Sequence, residues 1–396
     1  MTFESLDSKI ECFGVYKDGK LYTKEDEIPA LDRTWKFSPG MGSSVDYAYL
    51  YCQGKSIDDV CPAKLKEGWV KINEKLKAFY TSFLEAKVSL DDNCFYDLVP
   101  EKFLLEYCRI KCAIVDSIFE RYPKPKNYSF LKDVYVAVQN ISERKLNLAS
   151  NTEASLISSH IPVEKRRLFH KIRKKEPYVS YNIFGTRTGR LTTNKGYLPI
   201  LSLDKSFRAL LRPVNDKFIE IDYNAAELRT FIALCGNLQP ANDIHLEHSA
   251  ALGVGREEAK VMFLSWLYGS GKYDVGPLSD MYDKESVLDL YYDGNVVETL
   301  YGRVIQCEKR NALNYLLQST TSDIVLSKVV EIENLLKRRK SFVSFCMHDS
   351  IVLDVSREDV EVMKDVVGIF SQTQFGLFPI NAKIGGDYGN LMEVKI

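Results

Sequence analysis

Two short apolar runs near the end of the chain are separated by a polar turn. Residues 342–346 and 351–353 carry the β-branched and aromatic side chains that are typical of strands. Between them stand His348, Asp349 and Ser350. The pattern predicts a β-hairpin with an acidic side chain at its tip. A third apolar run, at 217–221, predicts another strand, and Asp222 stands at its end.

Apolar positions elsewhere recur at helical spacing. Pro123 and Pro125 separate two of the helices that this spacing predicts. Another helix is expected to begin near Gly255, with two glutamates in its first turn, and to end at the glycine-rich segment 269–271. The predicted helices cover residues 63–86, 103–119, a segment from about 129, 225–236, a segment from 255, and 308–339.

The composition is that of an ordinary globular protein. The chain has 396 residues, 45% of them hydrophobic, which is enough for more than one domain with its own core. It contains no uncharged apolar run of the roughly 18–20 residues that a membrane helix needs, and its first residues lack the features of a signal peptide. The nine cysteines are odd in number, scattered and without a C-x-x-C pair. These features predict a protein of a reducing, cytoplasmic compartment.

A basic segment stands out against a net charge of −1. Residues 165–190 carry nine lysines and arginines against Glu176 alone, with aromatic side chains interleaved. Basic and aromatic residues together suit a groove that follows a nucleic-acid backbone. A charged face that is merely solvated gives the same pattern, so both interpretations stay open.

Asp222 and Asp349 carry the main chemical signal of the predicted strands. A buried carboxylate without a partner is costly, so each acid should face water, a cation or a metal ion. A sheet can hold two acids from separate strands side by side, and such oxygen ligands suit hard divalent cations. Two ions of this kind can activate an attacking oxygen and stabilise a leaving pyrophosphate. The alternative is that both acids only form turns.

Arg256 and Lys260 lie on one face of the helix that begins near Gly255. At about 100° per residue, four positions separate them by only about 40° around the helix axis. Two stacked cations can hold a triphosphate, and Tyr268 further along can pack beside a base pair. The glycine after Tyr268 would let the helix end pivot like a lid. An ordinary surface helix is the alternative.

Several segments together resemble one enzyme family. DYNAAELR at 222–229, R-x3-K-x7-YG at 256–269 and HDS at 348–350 are similar, in order and approximate spacing, to motifs A, B and C of family A DNA polymerases, the group of bacterial DNA polymerase I. The resemblance covers about residues 180–396. Further similar segments are TGRLT at 188–192, DIH at 243–245, VETLYGR at 297–303 and R-x3-N-x3-Q at 310–318.

The resemblance implies an α+β fold of the right-hand polymerase type, with an antiparallel palm sheet, a helical thumb and helical fingers. The segment 269–296 is shorter than the usual fingers, so we expect trimmed fingers. The expected domains are an N-terminal region of unknown role at 1–97, thumb-like helices at 98–150, a first part of the palm with motif A at 151–245, fingers with motif B at 246–300, and a second part of the palm with motif C at 301–396.

The resemblance also implies roles for individual residues in template-dependent addition of deoxynucleotides to a primer 3′ end. Asp222 and Asp349 would be catalytic and would bind two Mg²⁺ ions, or Mn²⁺ in their place, with the backbone carbonyl of Tyr223 assisting. The incoming nucleotide would contact Glu227, His245, Arg256, Lys260, Leu264 and Tyr268. Primer–template DNA would contact Arg190, Arg208, Arg310, Asn314, Gln318 and His348.

Glu227 would select the sugar of the incoming nucleotide. In this family, the acid five residues after the first catalytic aspartate packs where a ribose 2′-OH would lie. The HDS triplet also resembles motif C of single-subunit RNA polymerases, but those enzymes lack this glutamate and the TGRL segment. An RNA polymerase-like enzyme and a non-catalytic primer–template binding subunit are the alternative functions. The second of them is disfavoured because a non-catalytic copy would be expected to lose the metal acids and the triphosphate cations soonest, and the chain keeps Asp222, Asp349, Arg256 and Lys260.

Two positions depart from the family pattern. The aromatic residue expected four positions after Lys260 is replaced by Leu264. Phe263 lies near the Arg256 face of the same helix and is a candidate substitute. Ser350 stands where bacterial enzymes commonly have glutamate, so a supporting carboxylate is either missing or supplied elsewhere.

The N-terminal region lacks the sequence of a proofreading exonuclease. No aspartate in residues 1–150 has a glutamate two positions later, as the D-x-E motif of such domains requires. The residues before the helical region are also too few for such a domain. We therefore expect no 3′→5′ exonuclease in the chain, and a separate exonuclease or replisome proteins as further partners. Small size and the missing exonuclease indicate a phage-type enzyme, which would act in the host cytoplasm.

Overall fold

The computed structural model describes residues 2–7, 13–24, 27–28, 30–38, 44–90, 92–241, 243–269 and 275–395. The chain is 50% helical and 17% strand, in agreement with the predicted mixture of the two. It divides into two compact units, Met1–Val136 and Ala137–Ile396. None of the helices in the described part combines the length and the apolarity that crossing a bilayer requires. The glycine-rich end predicted at 269–271 lies partly outside the described residues.

The first unit combines a small sheet with packed helices. Its elements are β1 (Phe3–Asp7), β2 (Phe13–Lys17), β3 (Lys20–Tyr22), β4 (Arg33–Thr34), β5 (Asp46–Tyr47), α1 (Ala48–Tyr51), α2 (Ile57–Val60), α3 (Ala63–Glu85), a 3-10 turn (Phe95–Asp97) and α4 (Glu101–Arg121). Strands β1, β2 and β3 pair in that order, antiparallel. Helix α4 buries Leu104, Cys108 and Val115 at helical spacing, and α3, which packs against it, adds Trp69 and Ile72 to the same core. The helices predicted at 63–86 and 103–119 are confirmed.

The cysteines of the described residues fall into two groups. Free thiols are Cys52, Cys61, Cys108, Cys112, Cys235, Cys307 and Cys346. Cys94, by contrast, is disulfide-bonded. The reducing, cytoplasmic compartment that the cysteine pattern predicts stays a prediction.

The second unit carries most of the described strands and helices. Helix α5 (Tyr128–Ser142) runs across the division between the units. The strands that follow are β6 (Asn147–Leu148), β7 (Tyr181–Asn182), β8 (Thr192–Thr193), β9 (Leu211–Arg212), β10 (Lys217–Tyr223), β11 (Val296–Glu298), β12 (Val304–Gln306), β13 (Phe342–Met347), β14 (Ser350–Val355), β15 (Gln372–Thr373), β16 (Gly376–Leu377), β17 (Ile380–Gly385) and β18 (Met392–Val394). The helices are α6 (Asn151–His160), α7 (Val163–Ile172), α8 (Ala226–Leu234), α9 (Ile244–Leu252), α10 (Arg256–Leu267), α11 (Pro277–Met281), α12 (Lys284–Tyr291), α13 (Lys309–Leu336) and α14 (Met363–Ser371), with 3-10 turns at Ile200–Ser202, Lys205–Leu210 and Arg357–Val362.

A five-stranded antiparallel sheet forms the centre of the second unit. Its strand order is β13-β14-β10-β17-β18. Every residue of β14 is buried, including the polar Ser350 and Asp354 beside four apolar side chains, and β13 and β14 form the predicted hairpin. On β10 the side chains alternate between the two faces of the sheet. Tyr223 belongs to the face covered by α14, where its ring stacks on Phe370 at 4.3 Å between centroids.

Helices α8, α10 and α13 share a second core. Phe231, Phe263 and Leu316 are each fully buried in it. Helix α13 also packs against α14 and β13, so it joins this core to the sheet. The helices predicted at 225–236, from 255 and at 308–339 are confirmed, and the strand predicted at 217–221 extends through Tyr223.

Candidate functional site

The two predicted catalytic acids lie at the same end of the central sheet. Asp222 on β10 pairs with Ser350 on β14, and Asp349 is the residue immediately before that partner. His348 and Asp349 form the exposed turn between β13 and β14. Antiparallel register therefore brings two residues that are far apart in sequence to one edge of the sheet.

Both turns at this edge contain a residue with unusual backbone geometry. His348 has φ +51° and Ala225, shortly after Asp222, has φ +53°. Non-glycine residues adopt such left-handed angles at an energetic cost, and they cluster at functional sites. The tight turns fix where the chain leaves each strand, and hence where the acids lie.

Asp222 stands in a mixed electrostatic environment. Burial raises the pKa of its carboxyl group, and Lys383 together with a hydrogen bond to Asn381 opposes that shift. Both of these residues lie on β17, where Asn381 pairs directly with Asp222. The negative charges of Glu220 and Asp349 raise the pKa of Asp222 further. Carboxylates that destabilise each other's charge in this way are a typical setting for a divalent cation.

Glu220 is a third carboxylate on this face that the sequence analysis did not identify. It lies two residues before Asp222 on the same strand, and therefore on the same side of the sheet. The hydroxyl group of Tyr388 donates a hydrogen bond to its Oε1 at 3.3 Å. The predicted DNA-binding residue Arg208 lies over the Tyr388 ring, 4.8 Å from the centroid. The spacing of two residues between Glu220 and Asp222 on a predicted strand was the sequence signal that could have identified Glu220 as a site residue.

The donor atoms at the sheet edge fit Mg²⁺ in chemical type. Asp222 and Asp349 offer carboxylate oxygens, whereas the Tyr223 ring stacks on Phe370 and its hydroxyl group donates to the Phe370 carbonyl, so the ligand role of the Tyr223 backbone carbonyl stays a prediction. Within the described residues, no three His, Cys, Asp or Glu side chains converge on one point. Mg²⁺ is usually held by one or two carboxylates, with water and substrate phosphates completing its shell. A pair of carboxylates is therefore compatible with this cation, and the metal site stays a prediction.

Glu227 lies between two other predicted site residues. The Arg190 guanidinium donates a hydrogen bond to its Oε1, and the Tyr268 hydroxyl donates one to its Oε2. Burial, followed by the charge of Glu227, raises the pKa of Tyr268 well above its ordinary value, so its hydroxyl remains a donor. The three residues come from the loop after β7, helix α8 and the end of α10. They hold one another in a fixed arrangement at the start of α8.

The predicted triphosphate-binding residues also come together. Arg256 donates to Asp243 Oδ2 from Nε at 3.1 Å and from Nη2 at 2.7 Å. Burial raises the pKa of Asp243, but the hydrogen bonds from Arg256 and from the backbone N–H groups of His245 and Leu246, together with the Arg256 charge, outweigh burial and keep this pKa below its usual range. The pKa of His245 is lowered, mainly by burial, with Lys260 and Arg256 contributing as nearby cations. One end of α9 and the first turns of α10 therefore present a histidine and two cations as a group.

Tyr268 also borders a cavity of about 200 Å³. Arg310 and Asn314 of α13 line the same cavity, and the Oδ1 atom of Asn314 is buried without a hydrogen-bond partner among the described residues. The cavity thus connects a predicted nucleotide contact with two predicted DNA contacts. Leu264 and Gln318 are both half-buried and stand outside this cavity.

Phe263 does not replace the missing aromatic residue of α10. Its side chain is fully buried and packs against Phe231, Trp266 and Tyr282. The proposal that it could stack on a nucleotide is wrong, because one step along a helix turns a side chain by about 100° and carried this ring into the core. The neighbouring Leu264, by contrast, is only half-buried.

The basic segment 165–190 contains two kinds of cationic side chain: some pair with other residues of the chain, and others are exposed. Lys165 pairs with Asp204 at 2.6 Å, and Arg173 donates to Asn151 at 2.6 Å, so both hold α7 in place. Arg167 and Lys171, by contrast, are exposed and have no side-chain partner within the described parts of the chain. Only some of the segment is therefore a solvated face, and its role in nucleic-acid binding stays a prediction.

The fold has known counterparts. No protein-family model and no curated protein matches the chain. Among solved structures, the POL domain of Pol1 from M. smegmatis, in complex with DNA primer-template and dNTP, matches with a TM-score of 0.57 and 12% sequence identity. The match covers 87% of this chain and 82% of that one. At this identity the likeness shows a shared polymerase-domain fold.

Proposed function

We propose that the chain is a template-dependent DNA polymerase of the family A type that extends a primer 3′ end with deoxynucleotides. The observation that carries the proposal is the pairing of Asp222 with Ser350, which sets Asp222 beside Asp349 at one edge of an antiparallel sheet. The polymerase-domain fold of the M. smegmatis protein, bound there to primer-template and dNTP, supports the same function. We further propose that the enzyme is compact and phage-type, and that it works in a host cytoplasm.

In this proposal the parts of the chain follow a right-hand layout. The central sheet would be the palm, residues 246–300 trimmed fingers, and residues 98–150 the thumb. Residues 1–97 have no assigned role.

Asp222, Asp349 and the carbonyl of Tyr223 would hold two Mg²⁺ ions, which supply charge stabilisation for phosphoryl transfer when bound. The reaction joins the primer 3′-oxygen to the α-phosphorus of the nucleotide and breaks the bond to pyrophosphate. Arg256 and Lys260 would hold the phosphates of the nucleotide, and pyrophosphate would leave along them. For that, Arg256 would exchange part of its contact with Asp243 for the triphosphate.

Glu227 would select the sugar. Arg190 and Tyr268 both donate to its carboxylate, so the side chain is fixed rather than free to swing away. A fixed carboxylate can exclude a ribose 2′-OH by volume. Arg190, Arg310, Asn314 and Gln318 would face the minor groove, where correct pairs present acceptors at shared positions.

Primer extension tests the proposal. Purified protein, a labelled primer–template duplex and Mg²⁺ should give extension with deoxynucleotides and little with ribonucleotides. Asp349→Asn should abolish extension because it removes a ligand charge at an exposed turn, where folding is little affected. Binding of the same duplex by the variant, measured by fluorescence anisotropy, controls for loss of DNA affinity.

The same experiment separates the alternatives. Extension with ribonucleotides would favour the RNA polymerase-like enzyme. A folded wild-type protein that binds primer–template but never extends it would favour the non-catalytic subunit. We also propose that the chain lacks 3′→5′ proofreading, and that a separate exonuclease would supply it.

A further inference from the structure

A buried ion pair supports the loop that carries Arg190. Arg303 donates to Asp323 from Nη2 at 2.7 Å and from Nε at 3.2 Å. Asp323 is fully buried within α13, and the Arg303 side chain is only 12% exposed. The bidentate geometry fixes the plane of the guanidinium group. The guanidinium group of Arg303 therefore presents a flat, rigid surface to the neighbouring loop.

Gly189 rests directly on this surface. A Cβ atom built on Gly189 would lie 2.4 Å from the Arg303 guanidinium carbon, and the residue has φ +75°. Both facts demand glycine, because any side chain would collide with the guanidinium and would also be strained at that φ. The Ser322 hydroxyl donates to the Gly189 carbonyl at 3.2 Å. Arg303 and Ser322 thus hold one peptide of the loop from two directions.

The next residue in the loop is Arg190, which donates to Glu227. A contact sequence therefore leads from Asp323 and Arg303, through Gly189, to Arg190 and then to the proposed sugar-selecting carboxylate. Buried groups with two fixed hydrogen bonds transmit small displacements, because the packed interior around them does not yield. A shift of Arg303 would move Arg190, and with it one of the two donors that fix Glu227.

We propose that Arg303 is a positioning residue for sugar selection, which acts by supporting Gly189 so that Arg190 holds Glu227 in place. This inference rests on the proposed function, since it assigns a role within the same nucleotide site. The Arg303 side chain is largely buried between Asp323 and Gly189, so in this proposal it acts through Arg190 and not by contact with the nucleotide. Its effect should therefore appear in discrimination between sugars rather than in DNA binding.

The variant Arg303→Lys tests the proposal. Lysine keeps the positive charge beside Asp323 but offers one point of contact in place of the planar fork. We expect the ratio of kcat/KM for deoxynucleotides over ribonucleotides to fall on the order of tenfold, the scale of effects that a displaced contact produces. Ser322→Ala removes only the bond to the Gly189 carbonyl and should give a smaller change in the same direction.

Hydrogen exchange supplies a second readout that needs no activity. Peptides covering residues 184–192 should exchange faster in Arg303→Lys than in the wild type, because the loop loses its support. Peptides from β10 and β14 should exchange as before.

Arg144→Lys is the matched control. Arg144 forms the same kind of bidentate pair with the largely buried Glu333, at 2.7 and 2.8 Å, in the same unit of the chain. It contributes a comparable ion pair but does not contact the loop of Gly189. Loss of a bidentate ion pair would destabilise both variants, whereas the proposed role requires that only Arg303→Lys changes sugar selection and loop exchange.

The outcomes are distinguishable. If the wild type adds no nucleotide, the proposed function is wrong, and the proposed role of Arg303 in sugar selection is then wrong as well. If the wild type is active but Arg303→Lys keeps its sugar selection, or alters it no more than Arg144→Lys does, the positioning role is wrong and the proposed function stands.

Discussion

Protonation of His248 should destabilise the protein in mild acid. The ring is 2% exposed, and its Nε2 atom lies 3.0 Å from the Tyr282 hydroxyl. Burial, with a smaller contribution from His245, lowers the pKa of His248 to about 4. The ring of His248 also lies 4.4 Å from that of Phe263, on the helix that carries Arg256. Acid should therefore loosen the contact between α9 and α10.

The direction and size of the change in unfolding free energy follow from the linkage between protonation of His248 and folding. The folded protein keeps this histidine neutral down to about pH 4, whereas the unfolded chain protonates it near pH 6.5. Between these values the unfolded state binds more protons, so the free energy of unfolding falls as the pH falls. For one group with these two pKa values, the loss between pH 7 and pH 5 is about 2 kcal/mol.

Urea unfolding at pH 7 and pH 5, followed by circular dichroism, measures this loss. His248→Phe keeps an aromatic ring against Phe263 but cannot take up a proton, so its unfolding free energy should change by about 2 kcal/mol less than that of the wild type over this range. The cost of the lost Tyr282 contact is the same at both pH values and cancels. Equal pH dependence in the two proteins would refute the reasoning.

Three further predictions concern the proposed polymerase site. Glu227→Ala should raise ribonucleotide incorporation relative to deoxynucleotide incorporation about tenfold or more, measured as a ratio of kcat/KM, and unchanged selectivity would contradict the sugar role. Glu220→Gln should raise the Mg²⁺ concentration for half-maximal extension about tenfold because it removes a carboxylate beside Asp222; an unchanged requirement would exclude that support. Protein incubated with a mismatched primer and no nucleotides should leave the primer intact on a gel, and shortening of the primer would contradict the absence of proofreading.

The sequence predicted the parts of the fold that local patterns determine. The long helix α3 follows from its apolar spacing, and the hairpin with Asp349 follows from its β-branched strands and polar turn. The motif resemblance also named Glu227, Arg190 and Tyr268 as site residues, and the structure brings these three into contact.

The remaining features depend on tertiary contacts that no local pattern reveals. Phe263 and Leu264 are adjacent and both apolar, so only packing decides which of them enters the core. Glu220 shares a face with Asp222 through its spacing of two residues on β10, but only the register with β17 sets it opposite Lys383. The support of Gly189 by Arg303 joins residues more than a hundred positions apart, a distance at which sequence spacing carries no information.

The most direct test of the central claim is the incorporation of single nucleotides opposite each of the four template bases. Wild-type protein with Mg²⁺ should add the complementary deoxynucleotide in each case, and Asp222→Asn and Asp349→Asn should each abolish addition while the duplex stays bound. Addition that ignores the template base, or that survives in either variant, would contradict a template-dependent polymerase built on these two acids.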